Sequence, residues 1–267
     1  MSSAEGVTER QHPTGELERG IAAKVQQIRP SVQPSPMQGY EHVRGFGIYA
    51  LPFDSGHVLA LRVFPENDFA PYTTVWHRTP DGRWSIYVDG PRHDTACPRY
   101  YGTATDHVQS ATITLDWIGP MELQVRMDDP ELHLTVRMDA PLTATILNAI
   151  GARFPAKIWR VPGVASLFAR VADTVFDIGD VTLIGTAPNG QRAILMPRQM
   201  YPIESAVATL DGDDLGEPTT SETNPTMGNV AFPARPMLAI GEAYFEILDR
   251  SEYDRTRAEL NETSVSY

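Results

Sequence analysis

From Gly45 to Met138 apolar and polar residues alternate with a period of two, the spacing of strands that keep one face dry and one face wet. The alternation predicts eight short strands: Phe46 to Leu51, His57 to Phe64, Thr73 to Arg78, Arg83 to Asp89, Tyr100 to Thr105, Thr112 to Trp117, Met121 to Met127 and Leu132 to Met138. The last two show it most cleanly. Met121, Leu123, Val125 and Met127 alternate with Glu122, Gln124 and Arg126, and Leu132 to Met138 repeats the pattern across the turn at Asp128-Asp129-Pro130.

After Pro141 the period becomes helical. Leu142 to Ile150 and Pro162 to Phe176 carry apolar residues at helix spacing, with Pro162 suited to a first turn and Gly179 to a stop. Strand patterns resume at Val181 to Thr186, Arg192 to Met196, Ile203 to Leu210 and Leu238 to Leu248, separated by tight turns at Pro188-Asn189-Gly190 and Asp211 to Gly216. The expected organisation is an N-terminal arm over residues 1–40, with a helix near Glu16 to Ile28. A β domain over 41–249 follows, with strands at 45–140, a helical insertion at 141–178 and strands at 180–249. A frayed polar tail covers 250–267. Strands that follow one another without intervening helices predict a mainly β fold, an antiparallel barrel or β-sandwich with two inserted helices. A barrel of about eight strands leaves room for one small ligand.

The most informative stretch is Tyr72 to Asp89, two strand patterns folded about Pro80-Asp81-Gly82. A type I turn closed by a left-handed Gly82 sets Thr79 opposite Arg83 and, counting back, His77 opposite Ser85, Val75 opposite Tyr87 and Thr73 opposite Asp89. His77, Ser85, Tyr87 and Asp89 then emerge on one face, and Trp76, Arg78, Trp84, Ile86 and Val88 on the other. A carboxylic acid in an apolar cavity is a better proton donor near neutral pH, because desolvation favours its neutral form. Asp89 is thus a candidate acid or base, with Tyr87 as its hydrogen-bond partner and His77 as relay. The competing assignment for Asp89 is a strand-ending residue that satisfies backbone N–H groups. Trp76, Trp84 and Trp117 are candidates to stack on a ligand, or core residues of the sheet. Ser85, on the His77 face, and Glu204, on a later strand, complete the candidate ligand-binding set.

The Trp76-His77 strand followed by Tyr87-Val88-Asp89 resembles the calycin-like group that contains hydroxyneurosporene synthase (carotenoid hydratase) and AttH-like proteins. The resemblance implies a lipocalin-like β architecture around an apolar-ligand cavity, and acid-initiated hydration, cyclisation or isomerisation of an isoprenoid, polyketide or steroid-like molecule. With no metal-ligand or nucleotide-binding motif in the chain, the preferred reading is general acid-base chemistry without metal or organic cofactor. The alternative is a non-catalytic carrier of the same kind of ligand, and a third reading is an interaction scaffold with a fully packed interior.

Composition narrows the partners. The chain has 267 residues, 42% of them hydrophobic and 21% charged, which suits a folded domain with a real core. A formal charge of −12 and the lack of any basic run argue against a nucleic-acid partner. There is no apolar run long enough to span a membrane, and the expected setting is cytoplasmic, with a homodimer left open. The single cysteine, Cys97, permits no internal disulfide. With His93, Asp94 and His107 it matches no common zinc spacing, and a half-buried structural cysteine is the expected role. Asp211, Asp213, Asp214 and Glu217 lack the ligand spacing of an EF-hand, so a solvated turn explains them.

Overall fold

The computed structural model describes residues 20–159 and 161–265. Helix α1 (Gly20–Gln26) and the short strand β1 (Ser31–Val32) lead into β2 (Tyr40–Pro52), β3 (Val58–Asn67), β4 (Tyr72–Arg78) and β5 (Trp84–Asp89). Helix α2 (Pro98–Tyr101) precedes β6 (His107–Ser110), β7 (Ile113–Gly119), β8 (Glu122–Asp128) and β9 (Glu131–Met138). Three helices then follow, α3 (Leu142–Gly151), α4 (Ala156–Trp159) and α5 (Pro162–Phe176). The chain returns to strands with β10 (Ile184–Thr186), β11 (Arg192–Leu210), β12 (Asp213–Asp214), β13 (Thr226–Met227), β14 (Val230–Ala231) and β15 (Met237–Glu246), and finishes in α6 (Arg250–Val265).

One sheet organises the molecule, with main order β6-β5-β4-β3-β2-β15-β11-β9-β8-β7. It is mixed: β1 runs parallel to β3 and β6 parallel to β5, while the other pairings are antiparallel. The sheet curls into a half-barrel that brings β7 near β4. The concave face packs Phe46, Ile48, Leu59, Leu61 and Val75 against Leu123, Val125, Leu134, Val136 and Ala208. Helix α1 plugs that core with Ile21 and Val25, and Ile28 just beyond its end joins them. The Glu16 end of the predicted arm helix lies outside the described residues.

The convex face carries two further clusters. One gathers Trp76, Trp84, Tyr100, Tyr101 and Phe232; the other packs Phe168, Ala172 and Phe176 of α5 against Met196, Met200, Met237 and Ala239 of the sheet. Helix α5 has the predicted bounds, Pro162 to Phe176, but it ends on Asp177 in the left-handed region (φ 55°) rather than at Gly179.

Three expectations need correction. Tyr100 to Thr105 is not a strand: Pro98 starts the helical turn α2 and a 3₁₀ turn follows at Gly102–Ala104. The predicted strands Arg192 to Met196 and Ile203 to Leu210 are one strand of 19 residues, β11. Its first half pairs with β15 and its second with β9, and the ladder continues across register shifts at Pro197/Gln199 and Ile203/Ser205. The polar C-terminal segment is helix α6, docked on the turn between β3 and β4 through Tyr253 and Leu260 against Phe69, with the Tyr253 hydroxyl donating to Asp68 at 2.6 Å.

Candidate functional site

The Pro80-Asp81-Gly82 turn has the expected geometry. Gly82 sits at φ 94°, the Thr79 N–H bonds the Arg83 carbonyl at 3.0 Å, and β4 and β5 pair His77 with Ser85, Val75 with Tyr87 and Thr73 with Asp89. The four residues therefore share a face, and that face looks into the packed concave core. His77 is 6% exposed and Tyr87 7%. His77 Nε2 lies 2.8 Å from His57 Nδ1, with the two rings stacked 5.0 Å apart. Burial, then the neighbouring His57, lowers the His77 pKa from 6.5 to about 4, so His77 is neutral at pH 7. Burial raises the Tyr87 hydroxyl above its ordinary value.

Asp89 is half-buried and its Oδ2 accepts the Ile113 N–H at 2.9 Å, tying the start of β7 to the end of β5. This is the strand-ending role, not a carboxyl hydrogen-bonded to Tyr87. The predicted ligand-binding residues do not converge. Trp76 and Trp84 lie on the convex face, where their indoles donate to Thr74 Oγ1 and the Thr226 carbonyl. Ser85 shares the concave side with His77, and Trp117 packs there beside Phe46. Glu204 is exposed and paired with Arg137 at 3.1 Å.

The other polar candidates are also accounted for locally. His93 bonds Ser110, Asp94 pairs with Arg92, Asp211 accepts the Glu131 N–H at the start of β9, and Asp214 accepts the Gly216 N–H within its own turn. Among the described residues no three His, Cys, Asp or Glu side chains stand close enough to hold a metal ion.

An apolar cavity of about 60 Å³ lies on the convex side, between the sheet, α5 and the segment around Phe232. Ala169 and Ala172 of α5 and Ala239 and Ala243 of β15 are among the residues that line it. Phe64, Phe168, Phe245, Met200 and Met237 contribute to the rest of the apolar wall. None of His77, Ser85, Tyr87 and Asp89 reaches it, because they project from the opposite face of the sheet.

Its polar groups are few: Arg62, Cys97 and the phenols of Tyr49, Tyr72, Tyr100 and Tyr101. The register shift in β2 between Ile48 and Leu51 turns backbone carbonyls out of the ladder, and Arg62 fills the gap. Its Nη1 donates to the carbonyls of Ile48 (2.5 Å) and Leu61 (2.9 Å), and its Nη2 to Tyr49 (3.2 Å). The guanidinium stacks over the rings of Tyr49 at 4.3 Å and Trp76 at 4.8 Å. Arg62 is nevertheless 5% exposed, and no carboxylate among the described residues pairs with it. Burial holds the Cys97 thiol and the Tyr49, Tyr72 and Tyr101 hydroxyls above their ordinary pKa values, so all four stay protonated at neutral pH.

No protein-family profile matches the chain, and no curated protein or solved structure is significantly similar to it. The site therefore rests on its own geometry. Among the described residues no helix is long and apolar enough to cross a membrane.

A signal for Arg62 exists in the sequence. Val58, Ala60, Arg62 and Phe64 form one side of an otherwise apolar strand, and an arginine at such a position marks either a partnered core charge or a ligand group.

Proposed function

We propose that this protein binds a small, slender apolar molecule in the crevice between the convex face of the sheet and α5, without transforming it. The supporting observation is the cavity itself, walled by aromatic, Met and Ala side chains. The space of about 60 Å³ is small, so an occupant of more than a few heavy atoms needs α5 to shift outward. This reading keeps the apolar ligand that the hydratase resemblance implies. It sets the chemistry aside, because hydration, cyclisation or isomerisation needs a proton donor in the cavity. The hydroxyls and thiol there are poor acids at neutral pH. The Asp89, Tyr87 and His77 set lies across the sheet from the proposed ligand.

The test is a titration with a neutral, rod-shaped environment-sensitive dye such as diphenylhexatriene. Saturable binding at one site is expected, weakened at least tenfold by Ala172→Phe, which fills the cavity from α5, with the circular dichroism spectrum unchanged. Unsaturable binding, or equal affinity in a folded Ala172→Phe variant, refutes the proposal.

A further inference from the structure

Arg62 carries a positive charge that the protein does not neutralise. Its backbone partners are dipoles and its ring partners are quadrupoles, and neither replaces a counter-ion in a dry site. Both hydrogens of Nη1 are committed to carbonyls and one of Nη2 to Tyr49, while the Nε hydrogen has no acceptor among the described residues. Nε and Nη2 share the edge of a guanidinium that takes a carboxylate side-on. Two further donors stand on the same cavity: the hydroxyls of Tyr49 and Tyr101 have no hydrogen-bond partner among the described residues, and both phenols lie within the electrostatic reach of Arg62.

We infer that the ligand is a carboxylate with an apolar tail, its head on Arg62 with Tyr49 and Tyr101, and its tail in the alanine-lined crevice under α5. The inference rests on the binding function proposed above and names its ligand class. One cation matches one negative charge. A phosphate monoester would bring a second charge into an apolar cavity that holds no other cation among its described wall residues, so a monoanion fits and a dianion does not. An uncharged tail of the same length would leave the guanidinium as unpaired as it is without ligand.

The experiment is displacement of the neutral dye from the wild-type chain by dodecanoate, methyl dodecanoate and dodecanol at pH 8. Dodecanoate is expected to compete at least tenfold more strongly than either neutral analogue. Arg62→Met should erase that preference while the dye still binds. Since Arg62 also ties the β2 bulge, a Tyr49→Phe/Tyr101→Phe variant provides a second measurement and should narrow the preference several-fold without unfolding. Equal competition by ester and acid in the wild type overturns the carboxylate assignment and leaves the binding function standing. Absence of dye binding and of all competition overturns both.

Discussion

The buried His77 and the buried Asp68 make opposite contributions to acid stability, and a pair of substitutions separates them. His77 titrates at about 4 in the folded chain against an ordinary 6.5, so acid favours the unfolded state, and stability is lost as pH falls from 6.5 towards 4. Between pH 7 and pH 4.5 this one group removes about 2 kcal/mol, at about 1.4 kcal/mol per pH unit of the gap. Asp68 is raised by burial from 3.8 to about 6, and its Oδ1 has no hydrogen-bond partner. Its proton binds the folded state first, so stability rises as pH falls from 6 towards 3.8, by about 2 kcal/mol over the same interval. The two terms nearly cancel. His77→Phe, which keeps a ring beside His57, should therefore gain about 2 kcal/mol relative to the wild type on going from pH 7 to pH 4.5. Asp68→Asn should lose a similar amount relative to the wild type over that interval. Urea unfolding at the two pH values measures both, and other titrating groups largely drop out of each variant-minus-wild-type difference. Parallel pH dependences for His77→Phe and the wild type would refute the assignment of a buried neutral His77.

Two further predictions concern groups whose roles the fold makes plain. Glu41 is fully buried, held by Arg99 at 2.7 to 3.0 Å and by the Tyr100 hydroxyl at 2.9 Å. Arg99→Met should lower the unfolding free energy by about 3 kcal/mol, and adding Glu41→Gln should recover at least half, because the cost is the stranded carboxylate; a chemical denaturation series reads both. Asp89→Ala should cost about 1 kcal/mol through the lost bond to the Ile113 N–H, yet leave dye affinity unchanged. A tenfold loss of affinity in a folded Asp89→Ala variant would instead return that carboxylate to the binding site.

The sequence was most legible where a single local device decided the geometry. Pro80-Asp81-Gly82 set the register of β4 on β5, and the alternation of Met121 to Met138 set the faces of β8 and β9. It was least legible where distant segments decide. Arg192 to Met196 and Ile203 to Leu210 read as two strands, but pairing with β15 and then with β9 carries β11 through the residues between them. Helix α6 has no strong apolar stripe and is placed by Tyr253 reaching Asp68 and Phe69. The shared face of His77, Ser85, Tyr87 and Asp89 was readable, but which side of the sheet would be packed solid was not. The cavity is assembled from β2, β3, β4, α2, α5, β11, β14, β15 and the segments beside them, and each wall segment reads as ordinary core until they meet.

The pairing of β2 with β15 has a consequence for how the chain comes together. These strands sit side by side in the sheet, joining Ile48 to Leu238 and Tyr40 to Glu246, so the centre of the half-barrel is made by segments about two hundred residues apart. On a ribosome, β2 emerges early and keeps one open edge until β15 arrives to cover it. The same wait applies to the proposed ligand crevice, whose floor includes β15. Closure of the sheet centre should therefore be a late and slow step that waits for β15, with the nascent β2 edge as the surface a chaperone would guard.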